Sequence, residues 1–207
     1  MAKVLLLNGS PKLNGNTNTL LREVQKTLEL EGMETEYVHI GNAPVQGCMA
    51  CRKCRELNRC VIDDKVNEIA QKLKNADGIV VGSPVYFASP NGVLISLLDR
   101  LFFSANFDKS MKVGAAVVVA RRGGCTAALD VLNKYFALSN MPIATSQYWN
   151  LAHGNAPEEA AQDAEGMQTM RQLALNMAFL IKSISLGRSA YKPPKLNEEH
   201  LSTNFIR

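Results

Sequence analysis

The chain has little of what marks membrane and exported proteins. In its 207 residues no apolar run approaches the roughly 18–20 residues that a membrane-spanning helix needs. The short apolar stretch 4–7 gives way at once to polar residues, unlike the longer apolar segment of a signal peptide. We therefore expect a cytoplasmic protein with no membrane partner, in which the five cysteines stay reduced.

Nucleic-acid binding and histidine-based catalysis are also poorly supported. The net charge of +4 is spread along the chain, aromatic residues make up 6%, and no basic block with interleaved aromatics occurs. The three histidines, His39, His153 and His200, do not have the spacing of a metal site or a catalytic triad. The sequence thus predicts no nucleic-acid partner, and we assign no catalytic residue.

Two common nucleotide-binding signatures, Gly-x-Gly-x-x-Gly and Gly-x-x-x-x-Gly-Lys-Ser/Thr, are missing as well. In their place an apolar strand leads into a loop of mostly small residues that opens a helix, where backbone N–H groups attract anions. The polar side chains of this loop are hydroxyls, amides and one cation: Ser10, Thr17, Thr19, Asn16, Asn18 and Lys12. This set suits a terminal monophosphate better than a bridging pyrophosphate, which indicates FMN before a dinucleotide.

Strand and helix patterns alternate along the chain. Apolar runs predict strands at 4–8, 35–40, 78–82, 113–120 and 142–148. Amphipathic stretches predict helices at 17–30, 65–74, 90–103, 125–138 and 157–186. This alternation predicts an α/β fold, a doubly wound five-stranded parallel sheet in three α/β/α layers. In such a sheet the ligand lies outside the carboxyl ends of the strands.

The boundaries of the domain follow from the same pattern. We expect one domain over 1–188 with a cysteine-rich insertion at 47–61, followed by a polar C-terminal tail at 189–207. Asn16 is predicted to cap the first helix, and Gly187 is predicted to end the last one.

Four cysteines, Cys48, Cys51, Cys54 and Cys60, form the pattern Cys-x2-Cys-x2-Cys-x5-Cys. Compact runs of this kind commonly present three thiolates to one iron–sulfur cluster. Cations between them would offset the negative charge of a ligated cluster: Arg52, Lys53, Arg55 and Arg59. Three interpretations stay open: a 4Fe–4S cluster, a structural zinc site, which more often uses two separated Cys-x2-Cys pairs, and a metal-free loop. Cys125 lies apart and is predicted to be a buried apolar residue.

Two loop motifs and the cysteine array between them resemble a known family. The motifs are Gly9-Ser10-Pro11-Lys12-Leu13-Asn14-Gly15-Asn16-Thr17 and Gly82-Ser83-Pro84-Val85-Tyr86-Phe87. Over about residues 2–155 the chain resembles the flavodoxin-like NAD(P)H-dependent FMN reductases, most closely the iron–sulfur flavoprotein branch. The resemblance implies a flavodoxin-like fold and bound FMN. It leaves the cluster open, because many reductases of this kind keep cysteines here without one.

The resemblance also implies roles for individual residues. The FMN phosphate would be held by Ser10, Lys12, Asn16, Thr17 and Asn18. The isoalloxazine and ribityl chain would lie along Pro84, Val85, Tyr86 and Phe87. The pyrimidine edge of the ring would be approached by Arg121, Gly123 and Gly124, although the family often has small residues where this chain has Arg121-Arg122.

We therefore expect an FMN-dependent oxidoreductase that takes electrons from NAD(P)H or a reduced carrier. It would pass them, through a cluster if one is present, to a quinone-, nitro- or carrier-type acceptor. A flavodoxin-like electron carrier and a zinc-binding scaffold remain alternatives. Since proteins that resemble this one cover a shallow flavin with a second subunit, a homodimer or homotetramer is expected. The surface for it, unless it faces the sheet, is expected on the methionine-bearing last helix and at five apolar residues, Leu97, Leu98, Leu101, Phe102 and Phe103.

Overall fold

A parallel sheet forms the centre of the protein, which the computed structural model describes for residues 1–192, 194, 198, 199, 201 and 203. Its strands are β1 (Lys3–Asn8), β2 (Glu34–His39), β3 (Gly78–Tyr86), β4 (Ser89–Pro90), β5 (Val113–Ala120) and β6 (Leu151–His153). Five of them are parallel and lie in the order β2-β1-β3-β5-β6, while β4 folds back antiparallel on the end of β3. The predicted five-stranded doubly wound parallel sheet is confirmed.

Helices cover both faces of the sheet. They are α1 (Asn16–Leu30), α2 (Cys54–Leu57), α3 (Lys65–Lys74), α4 (Gly92–Ser104), α5 (Cys125–Leu138) and α6 (Ala164–Ala190), with a 3-10 turn at Glu159–Gln162 before α6. The apolar sides of α1 and α6 share one core, and those of α3, α4 and α5 share the other. The three α/β/α layers follow from this arrangement.

Side-chain alternation along the strands builds the two cores. Leu5 and Leu7 of β1 pack against α3 and α4, whereas Val4 and Leu6 pack against α1 and α6. All eight residues of β5 are buried. A central parallel strand covered on both faces therefore has a continuous apolar sequence, which is why β1 and β5 could be predicted.

The fifth strand lies later in the chain than predicted. Over 142–148 the only pairing among the described residues is an isolated parallel bridge between Gly114 and Ile143. The chain then leaves the sheet in a turn held by Ser146, whose hydroxyl donates to the carbonyl oxygen of Tyr148. Pairing resumes at β6, opposite Val118 to Ala120. The prediction of 142–148 was wrong because a turn divides this edge of the sheet into two short pieces.

Several predicted boundaries also differ. The third strand continues past Gly82 to Tyr86, and the third predicted helix, α4, begins at Gly92, because Pro90 belongs to β4 and Asn91 is the N-cap. The last helix begins at Ala164 rather than at 157, and it runs through Gly187 to Ala190.

The predicted C-terminal tail overlaps the end of the last helix. Ser189 and Ala190 still belong to α6, and most of the predicted tail 189–207 lies outside the described residues. Among the residues that the structure describes, no helix combines the length and apolarity needed to cross a membrane.

Candidate functional site

A cleft of about 240 Å³ lies at the carboxyl edge of the sheet. It opens between the loops that follow β1, β3, β5 and β6, the place where a doubly wound sheet binds its ligand. The lining residues predicted from the sequence are Ser10, Lys12, Asn16, Thr17, Pro84, Val85, Tyr86 and Arg121. The fold therefore brings segments more than a hundred residues apart into one cleft.

The loop after β1 is fixed from beneath by Asn8 and Tyr37. The Asn8 side chain accepts a hydrogen bond from the Ser10 N–H at 2.9 Å and donates one to the Tyr37 hydroxyl at 2.9 Å. The Tyr37 hydroxyl donates in turn to the Asn18 side-chain oxygen at 2.6 Å. Burial raises the pKa of Tyr37, so the hydroxyl stays a donor. His39 donates to the Ser10 carbonyl oxygen at 2.7 Å, which completes the support of the loop.

The N-terminus of α1 faces this loop. Gly15 is the N-cap, and no described side chain caps it, so the expected capping role of Asn16 was wrong. The Thr17 hydroxyl is buried and has no hydrogen-bond partner among the described residues. Buried hydroxyls are nearly always paired. An unpaired one at an uncapped helix N-terminus fits a bound phosphate, which accepts hydrogen bonds.

Asn16 builds the wall of the cleft. Its side chain donates to the Ala156 carbonyl oxygen at 2.8 Å and accepts from the Ala160 N–H at 3.1 Å. These bonds tie the segment after β6 to α1. A Cβ added to Gly154 would lie 2.9 Å from the Asn16 side-chain nitrogen, so the chain passes here at close range.

A tight hairpin of β3 and β4 forms the opposite wall. Its two central residues, Phe87 and Ala88, both have positive φ angles, 50° and 59°, as a two-residue hairpin turn requires. Phe87 is fully exposed and Tyr86 about half exposed. Gly124, with a φ of 90°, packs under the turn, since a Cβ there would lie 2.8 Å from the Ala88 Cα.

Four predicted flavin residues do not line the cleft itself: Asn18, Phe87, Gly123 and Gly124. Asn18 contacts Tyr37, and Gly124 supports the hairpin. Sequence reasoning did not include Asn155 and Pro157, which line the cleft after β6. A correct placement of the fifth strand could have found them, because they follow its carboxyl end.

The four cysteines of the array line a second pocket together: Cys48, Cys51, Cys54 and Cys60. Cys54 and Cys60 are buried, whereas Cys48 and Cys51 are exposed. The enclosed volume is about 20 Å³, room for about one water molecule. Among the described residues, no three His, Cys, Asp or Glu side chains are placed to hold a metal ion.

The backbone of the cysteine loop takes an uncommon form. Ala50 and Arg52, which precede and follow Cys51, have φ angles of 52° and 59°. Left-handed conformations of non-glycine residues cost about 1–3 kcal/mol each and concentrate at ligand sites. Cys125 lies outside the pocket and is buried, as predicted, and burial raises the pKa of its thiol.

Arg100 of α4 connects the cysteine pocket to α3. It is 1% exposed, and its five N–H donors make five hydrogen bonds. Its Nε donates to the Cys60 Sγ at 3.3 Å, and its terminal nitrogens donate to the Asp64 carboxylate at 2.6 and 2.9 Å. Burial opposes the ionisation of Asp64, but the hydrogen bonds from Arg100 and from the Val66 N–H prevail and lower its pKa.

Sequence reasoning missed Arg100 and Ser104, which line the cysteine pocket. Both fall on the buried stripe of α4, at helical spacing from Leu97 and Leu101. Two polar residues on an apolar stripe were the available signal. Leu97, Leu98 and Leu101 are buried in the core, so of the five apolar residues expected on this helix to meet a partner only Phe103 is exposed.

The fold and the place of the cleft define a class, the α/β proteins of flavodoxin-like fold with a ligand cleft at the carboxyl edge of the sheet. A family model described as NADPH-dependent FMN reductase matches residues 2–156, and the chain belongs to this family. It is an FMN-dependent oxidoreductase, its cofactor is FMN, and a nicotinamide nucleotide is its partner.

Similar proteins agree with this assignment. An iron–sulfur flavoprotein of Methanocaldococcus jannaschii is 35% identical over 190 residues, which cover 88% of this chain and 98% of the relative. An iron–sulfur flavoprotein of Methanosarcina thermophila is 32% identical over 191 residues, with coverages of 90% and 98%. A solved flavodoxin from the domain Archaea matches with a TM-score of 0.58 and 16% identity, over 87% of this chain and 99% of that one. The chain falls in the iron–sulfur flavoprotein branch, and its flavodoxin-like fold is confirmed.

Proposed function

We propose that the protein takes electrons from NAD(P)H or a reduced carrier into FMN and passes them singly through a 4Fe–4S cluster to a quinone-, nitro- or carrier-type acceptor. The observation that carries this proposal is the meeting of all four array cysteines at one pocket. When bound, the flavin supplies two-electron acceptance at N5, and the cluster supplies transfer of single electrons.

The phosphate of FMN is assigned to the loop after β1 and the first turn of α1. The unpaired Thr17 hydroxyl, the Ser10 hydroxyl and the Lys12 ammonium are the groups of the cleft that suit a dianionic phosphate. Asn18 is also assigned to the phosphate, since Tyr37 bonds only to its side-chain oxygen and the side-chain N–H groups can donate. The Asn16 side chain holds the wall of the cleft, so Asn16 contributes its backbone N–H at the helix N-terminus.

The isoalloxazine ring is assigned to the space between the hairpin and the loop after β5. Pro84, Val85 and Tyr86 form one side of it, and Phe87 extends from the exposed tip. Arg121, with the backbone of Gly123 and Gly124, is assigned to the pyrimidine edge. A cation or N–H there stabilises the negative charge that builds up at N1 and O2 on reduction.

The donor set of the second pocket suits an iron–sulfur cluster. It offers four thiols, the Arg100 Nε–H and the Ser104 hydroxyl, which is buried and has no partner among the described residues. The left-handed residues Ala50 and Arg52 bend the loop around the pocket, as anion-binding loops do. Cys48 and Cys51 are exposed, so ligation of a cluster larger than the enclosed 20 Å³ would require this exposed side of the loop to move outward.

A homodimer or homotetramer is part of the proposal. Phe87 is fully exposed at the hairpin tip and Tyr86 is half exposed beside the cleft, so a second subunit would cover them and shield the flavin. Light scattering of the FMN-loaded protein at micromolar concentration tests this. A monomer mass would contradict shielding by a partner.

The route of the electrons can be tested with cysteine variants of the anaerobically prepared protein. In Cys48→Ser/Cys51→Ser, anaerobic NAD(P)H should still bleach the flavin bands, because in the proposed route the flavin is reduced before the cluster. Reduction of cytochrome c, a one-electron acceptor, should fall at least about tenfold, because the cluster is lost. Cys125→Ala, which removes a thiol outside the pocket, should match the wild type. Wild-type cytochrome c reduction by the double variant would overturn the assignment of the cluster as electron path.

A further inference from the structure

The inner stripe of α4 carries two polar residues, Arg100 and Ser104, one helical turn apart. They are 1% and 4% exposed and lie among buried leucines. Both line the pocket of the four array cysteines. Burying a guanidinium and a hydroxyl on an apolar stripe costs free energy unless each has a hydrogen-bond partner, so their partners show what they do.

Arg100 is fixed in one orientation. Its terminal nitrogens bond to the Asp64 carboxylate and to the carbonyl oxygens of Gln46 and Ile62, at 2.6–3.2 Å. These four bonds hold the guanidinium so that its remaining donor, Nε, reaches the Cys60 Sγ at 3.3 Å. The planar fork of Arg provides this orientation, and Lys, which has a single nitrogen, does not.

Ser104 differs from Arg100, whose donors are all paired, because its hydroxyl is buried with no hydrogen-bond partner among the described residues. It lies on the same pocket, where sulfur is the acceptor that the array offers. The pocket is therefore lined by one N–H already directed at a thiol sulfur and one O–H that still needs an acceptor.

We propose that Arg100 and Ser104 raise the reduction potential of the iron–sulfur cluster by donating hydrogen bonds to its sulfurs, Arg100 to Cys60 and Ser104 to a second sulfur. The inference rests on the proposed function, since it needs the cluster. Hydrogen bonds to cluster sulfurs stabilise the additional negative charge of the reduced form, so they shift the potential upward. A higher potential makes the cluster a better acceptor of electrons from the flavin of the same protein.

Ser104→Ala is the principal test, because it removes only the hydroxyl. The anaerobically prepared protein with FMN and cluster is titrated with mediators, and cluster reduction is followed by electron paramagnetic resonance. The cluster potential should shift downward in Ser104→Ala, while the iron content and the flavin potential stay at wild-type values. Ser104→Thr, which keeps the hydroxyl, should restore the potential. Ser185→Ala, an exposed serine of α6, is the matched control and should leave it unchanged.

Arg100→Lys is the second variant and keeps the charge while it removes the Nε donor. Its cluster potential should also shift downward, and if the variant does not fold, Ser104→Ala decides. Iron-loaded Ser104→Ala with a wild-type cluster potential would overturn this inference and leave the proposed function intact. Wild-type protein without iron would overturn both.

Discussion

Asn91 donates a hydrogen bond from its side-chain nitrogen to the carbonyl oxygen of Gly9, 2.9 Å away. Its side-chain oxygen caps α4 by accepting from the Val93 N–H, and its own N–H donates to the Ser83 hydroxyl, both at 2.9 Å. One buried residue, through its side chain and its backbone N–H, thus joins the loop after β1, β3 and the start of α4. Asn91 thereby holds the loop assigned to the phosphate in a fixed position relative to the strand assigned to the flavin ring.

Replacement of Asn91 by Ala should therefore destabilise the protein. The loss of the cap costs about 1 kcal/mol, and the Gly9 carbonyl left without its donor costs about 1–3 kcal/mol. We expect the free energy of unfolding, measured with urea, to fall by about 2–4 kcal/mol. A decrease below about 1 kcal/mol would show that the coupling contributes little to stability.

Thr17 tests the phosphate assignment. Thr17→Val keeps the shape and removes the unpaired hydroxyl, so FMN affinity should fall about tenfold, which corresponds to about 1.4 kcal/mol for a hydrogen bond to a charged group. Release of FMN on dilution, followed by flavin fluorescence, measures this. Thr27→Val on the same helix, where the hydroxyl donates to the Glu23 carbonyl oxygen, should keep wild-type affinity. Equal affinity of the Thr17 variant would place the phosphate elsewhere.

Alanine substitution at Gly124, with Gly123 as the control, tests the packing of the hairpin of β3 and β4. In Gly124→Ala the new Cβ meets the Ala88 backbone at 2.8 Å, at a φ of 90°, so we expect a loss of about 2–4 kcal/mol in the free energy of unfolding and weaker FMN binding. A Cβ on Gly123 has no neighbour within 4 Å, so Gly123→Ala should change stability by less than about 0.5 kcal/mol. Equal unfolding midpoints for the two variants would contradict the packing of the hairpin on Gly124.

The pair of Asp64 and Arg100 makes stability depend on pH. The folded-state pKa of Asp64 is lowered, so its contribution is present above the unfolded value of about 3.9 and is lost as pH falls through the folded value. Asp64→Asn, which keeps a good N-cap for α3, should cost about 3 kcal/mol at pH 7, because it leaves a buried guanidinium unpaired. Urea unfolding should show the gap between wild type and variant narrowing below about pH 4. A gap of constant size would contradict the ionised pair.

The sequence predicted those parts of the fold that leave a local pattern. The continuous apolar runs of β1 and β5 predicted central strands, and small polar residues between β1 and α1 predicted an anion-binding loop. The strand β6 has three residues, too few for any periodicity, and its place depends on pairing with Val118 to Ala120. Such a strand is determined by tertiary contacts that no local window contains.

In the two pockets, too, the residues with a local sequence pattern could be predicted and those that depend on distant contacts could not. The four cysteines were identifiable by spacing, whereas Arg100 was not, because its partners Gln46, Cys60 and Asp64 lie 36 to 54 positions away. Likewise, Asn16 was assigned to phosphate by its position in the loop. Its bonds to Ala156 and Ala160, 140 and 144 positions away, became visible only in the fold.

Chemical analysis of the protein purified without oxygen shows whether one chain carries both a flavin and a cluster. FMN, iron and acid-labile sulfide are assayed per chain on one sample, together with its ultraviolet–visible spectrum. We expect about one FMN with about four irons and four sulfides, and flavin bands on a broad shoulder. FMN without iron would contradict the cluster and leave a two-electron reductase, and colourless protein containing zinc would contradict the electron path altogether.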